Sequence, residues 1–126
     1  MEASRVYDLE ERLIEFAVQI IEVCDNVKPT KAGNHLASQL VRSGTSPALN
    51  YGEAQGGEST RDFIHKLKII LKELRESRNC LRIIQRANLF LGEQLSLEST
   101  LRECKELVAI FASSIKTAEK NQLLKK

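Results

Sequence analysis

Apolar positions recur every three or four residues along most of this chain, the period of helices that bury one face. The clearest run is 59–91, where Phe63, Leu67, Ile70, Leu74, Leu81 and Ile84 form one stripe. Arg61, His65, Lys68, Lys72, Arg75, Asn79, Arg82 and Arg86 form a second, basic stripe roughly opposite. Ser59 followed by Asp62 reads as a capping box, so a helix is predicted over 59–90, with Asn88 to Gly92 as its frayed end and turn. Upstream, Leu9, Leu13, Phe16, Ala17, Ile20, Ile21 and Cys24 predict a first helix over 8–27, capped by Asp8 with Glu11. Pro29 closes it by disfavouring helical backbone at Lys28.

Thr30 caps a second predicted helix, 30–54, whose stripe of Leu36, Leu40 and Val41 is interrupted by Ser43-Gly44-Thr45-Ser46-Pro47. A proline there removes a donor and clashes with the carbonyl four residues back. Arg42, Ser46, Asn50 and Glu53 keep helical spacing across it, so the helix is expected to kink near Pro47 and run on. Ser96 is the expected cap of a fourth helix, 96–121, with Leu97, Leu101, Cys104, Val108, Phe111 and Ile115 on one face. Four long amphipathic helices with short connections predict one all-α domain, an antiparallel up-down-up-down four-helix bundle. At ~1.5 Å per residue the third helix spans about 35–45 Å, so the bundle is a rod.

Composition agrees. The 126 residues contain 2 prolines, 6 glycines, 5% aromatics and no Trp, which suits long helices better than strands and turns. No apolar run approaches the roughly 20 residues a membrane span requires, and the N-terminus leads into an acidic amphipathic segment without a signal-peptide core. A cytoplasmic location, with no membrane partner, is therefore expected. Net charge is only +2 but unevenly spread. Residues 1–27 carry 2 Lys/Arg against 7 Asp/Glu, whereas residues 60–90 carry 8 against 3.

Catalytic and metal chemistry find little purchase. The 3 cysteines, Cys24, Cys80 and Cys104, are far apart and lie in or beside apolar stripes, as buried thiols do. Neither His35 nor His65 follows a glutamate by three residues, the arrangement di-metal bundle enzymes need. Nothing in the set Arg42, Ser46, Asn50 and Glu53 supplies a nucleophile beside a base. The expectation is a protein without enzymatic activity, cofactor or metal.

The second helix carries a recognisable pattern: Arg42, Ser46-Pro47-Ala48-Leu49-Asn50 and Glu53, then Gly56-Gly57. With Asp62-Phe63 and Lys72-Glu73-Leu74-Arg75-Glu76 in the third helix, it resembles the four helix bundle protein family, also called the 23S rRNA intervening-sequence protein family. The resemblance covers roughly Val6 to Ile115. Tyr51-Gly52 departs from it, since the family has small apolar residues before Glu53. The resemblance implies a bacterial, cytoplasmic bundle that assembles into a ring, commonly a homopentamer. It further implies kinship with the accessory variability protein of diversity-generating retroelements, which partners a reverse transcriptase and nucleic acid. It brings no catalytic residues.

Three surfaces are the candidate sites. The polar stripe Arg42, Ser46, Asn50 and Glu53 is a helix-packing network in one reading and a ligand or nucleic-acid contact in another. The basic stripe Arg61, His65, Lys68, Lys72, Arg75, Arg82 and Arg86 has three readings: a solvated face, a surface that tracks an RNA or DNA backbone, and a subunit interface. The third follows from topology. The first and third helices of such a bundle are diagonal, so the acidic stripe Glu11, Glu15 and Glu22 faces away from the basic one. A head-to-tail contact between copies brings the two together, and such contacts close into rings. Ile14, Val18, Ile64, Ile69 and Ile83 are the apolar positions expected to supply association energy there.

Overall fold

The predicted periodicities resolve into four helices in a computed structural model that describes residues 9–56 and 59–124. They are α1 (Leu9–Cys24), α2 (Lys31–Gln55), α3 (Thr60–Arg86) and α4 (Gln94–Leu124). Consecutive helices pack antiparallel, α4 closes on α1, and α1 and α3 lie diagonally across the bundle. The core is a ladder from all four helices: Leu13, Phe16 and Ile20, then Leu40, then Leu67, Ile70, Leu74, Leu81 and Ile84, then Leu97, Leu107 and Phe111, all at most 2% exposed. Truncating one such leucine to alanine costs about 2–5 kcal/mol. Tyr51, the family departure, fits this interior, its ring edge-on to Phe111 at 5.8 Å and 88°.

Two of the predicted caps are present. The Thr30 hydroxyl accepts from the Gly33 N–H at 3.0 Å and the Ser59 hydroxyl from the Asp62 N–H at 3.1 Å. Asp8 lies outside the described residues. α2 continues through Pro47 to Gln55. The Thr45 and Ser46 hydroxyls donate to the carbonyls of Val41 and Arg42 at 2.6 and 2.7 Å, a back-bonding that accompanies bent helices.

Other boundaries differ from expectation. α1 stops at Cys24, because the Asn26 side-chain amide takes the Glu22 carbonyl at 2.8 Å and the backbone turns away. α3 stops at Arg86, and 88–92 is an ordered connection rather than a frayed end. Asn88 adopts φ 55°, and the amides of Asn88 and Leu89 bond the carbonyls of Gln85 and Ile84 at 3.2 and 3.0 Å, which together form a Schellman stop. The loop then pairs with the α1–α2 loop: Lys28 N–H reaches the Leu89 carbonyl and Leu91 N–H the Asn26 carbonyl, both at 2.7 Å. Phe90 is buried beneath this bridge. α4 begins at Gln94, two residues before Ser96, with the Glu93 carbonyl accepting from Ser96 and Leu97. Two positions assigned to apolar stripes are surface: Ile21 is 44% and Val41 39% exposed. Val23 takes the core place instead, since α1 turns its Leu13, Phe16, Ile20 and Val23 edge inward.

Candidate functional site

The long α3 presents its basic stripe outward because its apolar edge is fixed in the core. Arg61, His65, Lys68, Lys72, Arg75, Asn79 and Arg86 are exposed and Arg82 is half-buried. Lys68 pairs with Glu119 of α4 at 3.0 Å. Among the described residues no other member of the stripe has an ion-pair partner. Sequence reasoning missed that α4 adds to this surface: Lys105 stands opposite Arg78 and Arg82 across the α3–α4 seam. Register between helices decides that, and no local sequence signal encodes it.

The acidic stripe is exposed on α1, at Glu11, Glu15 and Glu22. A groove of about 410 Å³ lies between α1 and α4, lined by Glu11, Arg12, Glu15, Phe16, Gln19 and Glu103. Its one cation is already neutralised. Arg12 donates to Glu103 through two nitrogens at 3.0 and 2.7 Å and reaches Glu106 at 3.3 Å. Those glutamates, Glu103 foremost, raise the arginine above its ordinary pKa. Glu11, Glu15 and Glu22 have no cation of their own among the described residues.

The polar stripe of α2 faces α3. Arg42 pairs with Glu76 and approaches Glu73 at 4.0 Å. Asn50 donates to Glu73 at 3.0 Å, and Lys66 donates to Glu53 at 3.0 Å. Ser46 turns back onto its own helix. Beneath this half-exposed row the buried hydroxyls of Ser43 and Ser77 meet at 2.9 Å. These side chains clasp two helices together, and their polar atoms are engaged within the bundle.

The apolar surface positions cluster on the opposite flank. Ile14, Val18 and Ile21 lie on the side of α1 turned from the α4 groove, 41–50% exposed, and on α2 Val41 and Leu49 are exposed as well. On α3, Ile83 is exposed and Ile69 half-buried, but Ile64 is only 6% exposed and belongs to the core. It turns inward because Leu67 one turn on and Leu71 two turns on share its edge of the helix, toward α4.

The thiols are chemically quiet. Burial pushes Cys104 up to about 12 and Cys24 up to about 11, and it raises Cys80 as well. Cys104 and Cys24 sit against the carbonyls of Leu74 and Ala37 at 3.3 and 3.5 Å. Protonated thiols of this kind are poor nucleophiles and poor metal ligands. Among the described residues no three His, Cys, Asp or Glu are grouped to hold a metal ion, and no helix is long and apolar enough to cross a membrane.

Comparison with known proteins agrees with the fold and adds a lineage. A protein of unknown function from the S23 ribosomal protein family of Bacteroides thetaiotaomicron has a similar solved structure, with a TM-score of 0.75 and 31% identity. The match covers 85% of this chain and 97% of that one. No curated protein matches the sequence. The family model described as 23S rRNA-intervening sequence protein matches residues 6–113, nearly the whole bundle. With its four antiparallel helices and the Arg42–Glu53 pattern on the second, the chain belongs to the 23S rRNA-intervening sequence protein family.

Proposed function

We propose that the protein is a non-enzymatic subunit of a cytoplasmic homo-oligomeric ring, a pentamer as the family resemblance implies, whose basic surface takes up RNA or DNA, alone or with a protein partner of the reverse-transcriptase type. The observation that carries this reading is the separation of unneutralised charge. Apart from Lys66 and Lys68, the cations of α3 have no ion-pair partner among the described residues, while Glu73 and Glu76, two of its three acids, face α2 and are engaged there. A solvated face has no need of such sorting, and like charges at i, i+4 weaken a helix. An anionic partner, or the acidic α1 face of a neighbouring copy, offsets that repulsion. Quiet thiols and the lack of a nucleophile beside a base support a non-enzymatic role.

Repeating the basic stripe around a ring sums a modest protomer field into a strong one. The expected result is binding of RNA and DNA at ~50 mM salt that weakens steeply as salt rises, with light scattering reporting an oligomer. No affinity at that salt counts against nucleic acid. The acidic α1–α4 groove favours a second reading, a protein-interaction scaffold that needs no nucleic acid. A gene lying inside an rRNA operon, or beside a reverse-transcriptase gene, separates the two in favour of the first.

A further inference from the structure

We infer that the cleft between the C-terminal half of α3 and the start of α4 is the site that grips the phosphodiester backbone of a nucleic acid. The inference rests on the nucleic-acid reading above and assigns it a place. The cleft measures about 310 Å³ and is lined by Arg78, Arg82, Gln85, Arg86, Leu101 and Lys105. Four of these six are cations and none is an acid. None of the four has an ion-pair partner among the described residues. The adjoining wall, which shares Leu101 and Lys105 with the cleft, holds Arg102 and Glu98, and that carboxylate does not line the cleft itself.

This arrangement opposes folding. Arg78, Arg82 and Arg86 repeat at i, i+4 and i+8, a like-charge row that destabilises its own helix, and Lys105 adds a fourth charge across the seam. The Nε of Arg78 is buried and has no hydrogen-bond acceptor. A buried donor left in that state is uncommon and calls for a reason. A phosphate oxygen in the cleft answers the charge, accepting from guanidinium groups and neutralising the convergent row, and it reaches the enclosed Nε of Arg78 only with a change of that side chain's rotamer. The cleft has no aromatic lining, so it grips backbone and does not stack or read bases.

Position favours access as well. α1 and α2, which carry the exposed Ile14, Val18, Ile21, Val41 and Leu49, form the side of the bundle opposite α3 and α4. Neither this apolar side nor the outward His65, Lys72 and Asn79 face of α3 includes a residue that lines the cleft, so copies that associate through them leave it open.

The test compares the full chain with Arg82→Glu/Lys105→Glu, using a short labelled single-stranded RNA and a duplex DNA of equal length at ~50 mM salt. The expected loss of affinity is about tenfold or more, with the salt slope shallower by about two. Arg82→Lys/Lys105→Arg, which keeps the charges, should stay within about threefold of wild type. Arg86→Glu, on an exposed residue of the cleft rim, serves as a second variant should the double one unfold, and should also weaken binding. Binding by the glutamate variants equal to wild type overturns the cleft assignment while leaving nucleic-acid binding in place elsewhere. A fall in oligomer mass without a change in affinity also overturns it, making the cleft a subunit contact. Wild-type protein that binds neither probe sinks the underlying nucleic-acid reading instead.

Discussion

Gly44 sets how closely α1 and α2 approach. A Cβ built there would lie 2.6 Å from both γ carbons of Ile20, a fully buried branched side chain that has nowhere to retreat. Gly44→Ala gains about 0.5–1 kcal/mol of helix propensity but adds overpacking of about 1–3 kcal/mol. A net loss of about 1–2 kcal/mol is expected, visible as a melting midpoint several degrees lower by circular dichroism. An unchanged or higher midpoint means that α1 steps back at little cost. Gly44 was hidden in the sequence for an instructive reason. It sits in the Ser43–Pro47 interruption, which reads locally as a broken stripe, yet Ser43, Gly44 and Pro47 are all buried. Small residues at a helix crossing look like a defect until the partner helix is in place.

Between elements, the firmest bond of α2 to α3 outside the apolar core is the row that made the family recognisable. Its four positions were legible from spacing alone, but their partners were not. Beyond Asp62 in the first turn, Glu73 and Glu76 read as acidic exceptions on a basic helix, and only the register of α2 against α3 shows them as the receivers of Asn50 and Arg42. The same limit governs the boundaries. Caps set by the local chain, Thr30 and Ser59, were readable, whereas the ends of α1 and α3 depend on two distant loops pairing at Val27 and Phe90. If the clasp stabilises the bundle, a double-mutant cycle of Asn50→Ala and Glu73→Ala by urea denaturation should yield a coupling of about 0.5–1.5 kcal/mol, modest because the pair is only part-buried. Coupling near zero would assign the pair to solvent.

For the whole molecule, two charge surfaces on diagonal helices bear on assembly. The acidic α1 face borders exposed Ile14, Val18 and Ile21, while the outward face of α3 carries His65, Lys72 and Asn79 beside exposed Ile83. Each therefore joins charge to apolar area, the composition of a contact whose rim sets register and whose centre supplies energy. The cleft of Arg78, Arg82 and Lys105 lies on the other flank of α3, toward α4, so the proposed subunit contact and the proposed backbone site occupy different sides of one helix. That division makes them separable. Exposed ion pairs contribute only ~0–1 kcal/mol each, but reversing a cation turns attraction into repulsion, and Lys72→Glu/Arg75→Glu reverses two at every contact of a ring. A penalty of about 1–2 kcal/mol per contact weakens each about 5- to 30-fold, enough to shift the light-scattering mass toward smaller species at low protein concentration. High salt should weaken the proposed wild-type ring in the same direction, since screening acts on the same exposed charges. Arg82→Glu/Lys105→Glu should keep the full mass. A mass unchanged by the Lys72/Arg75 reversal would remove α3 from the interface and leave its whole basic face to the anionic partner.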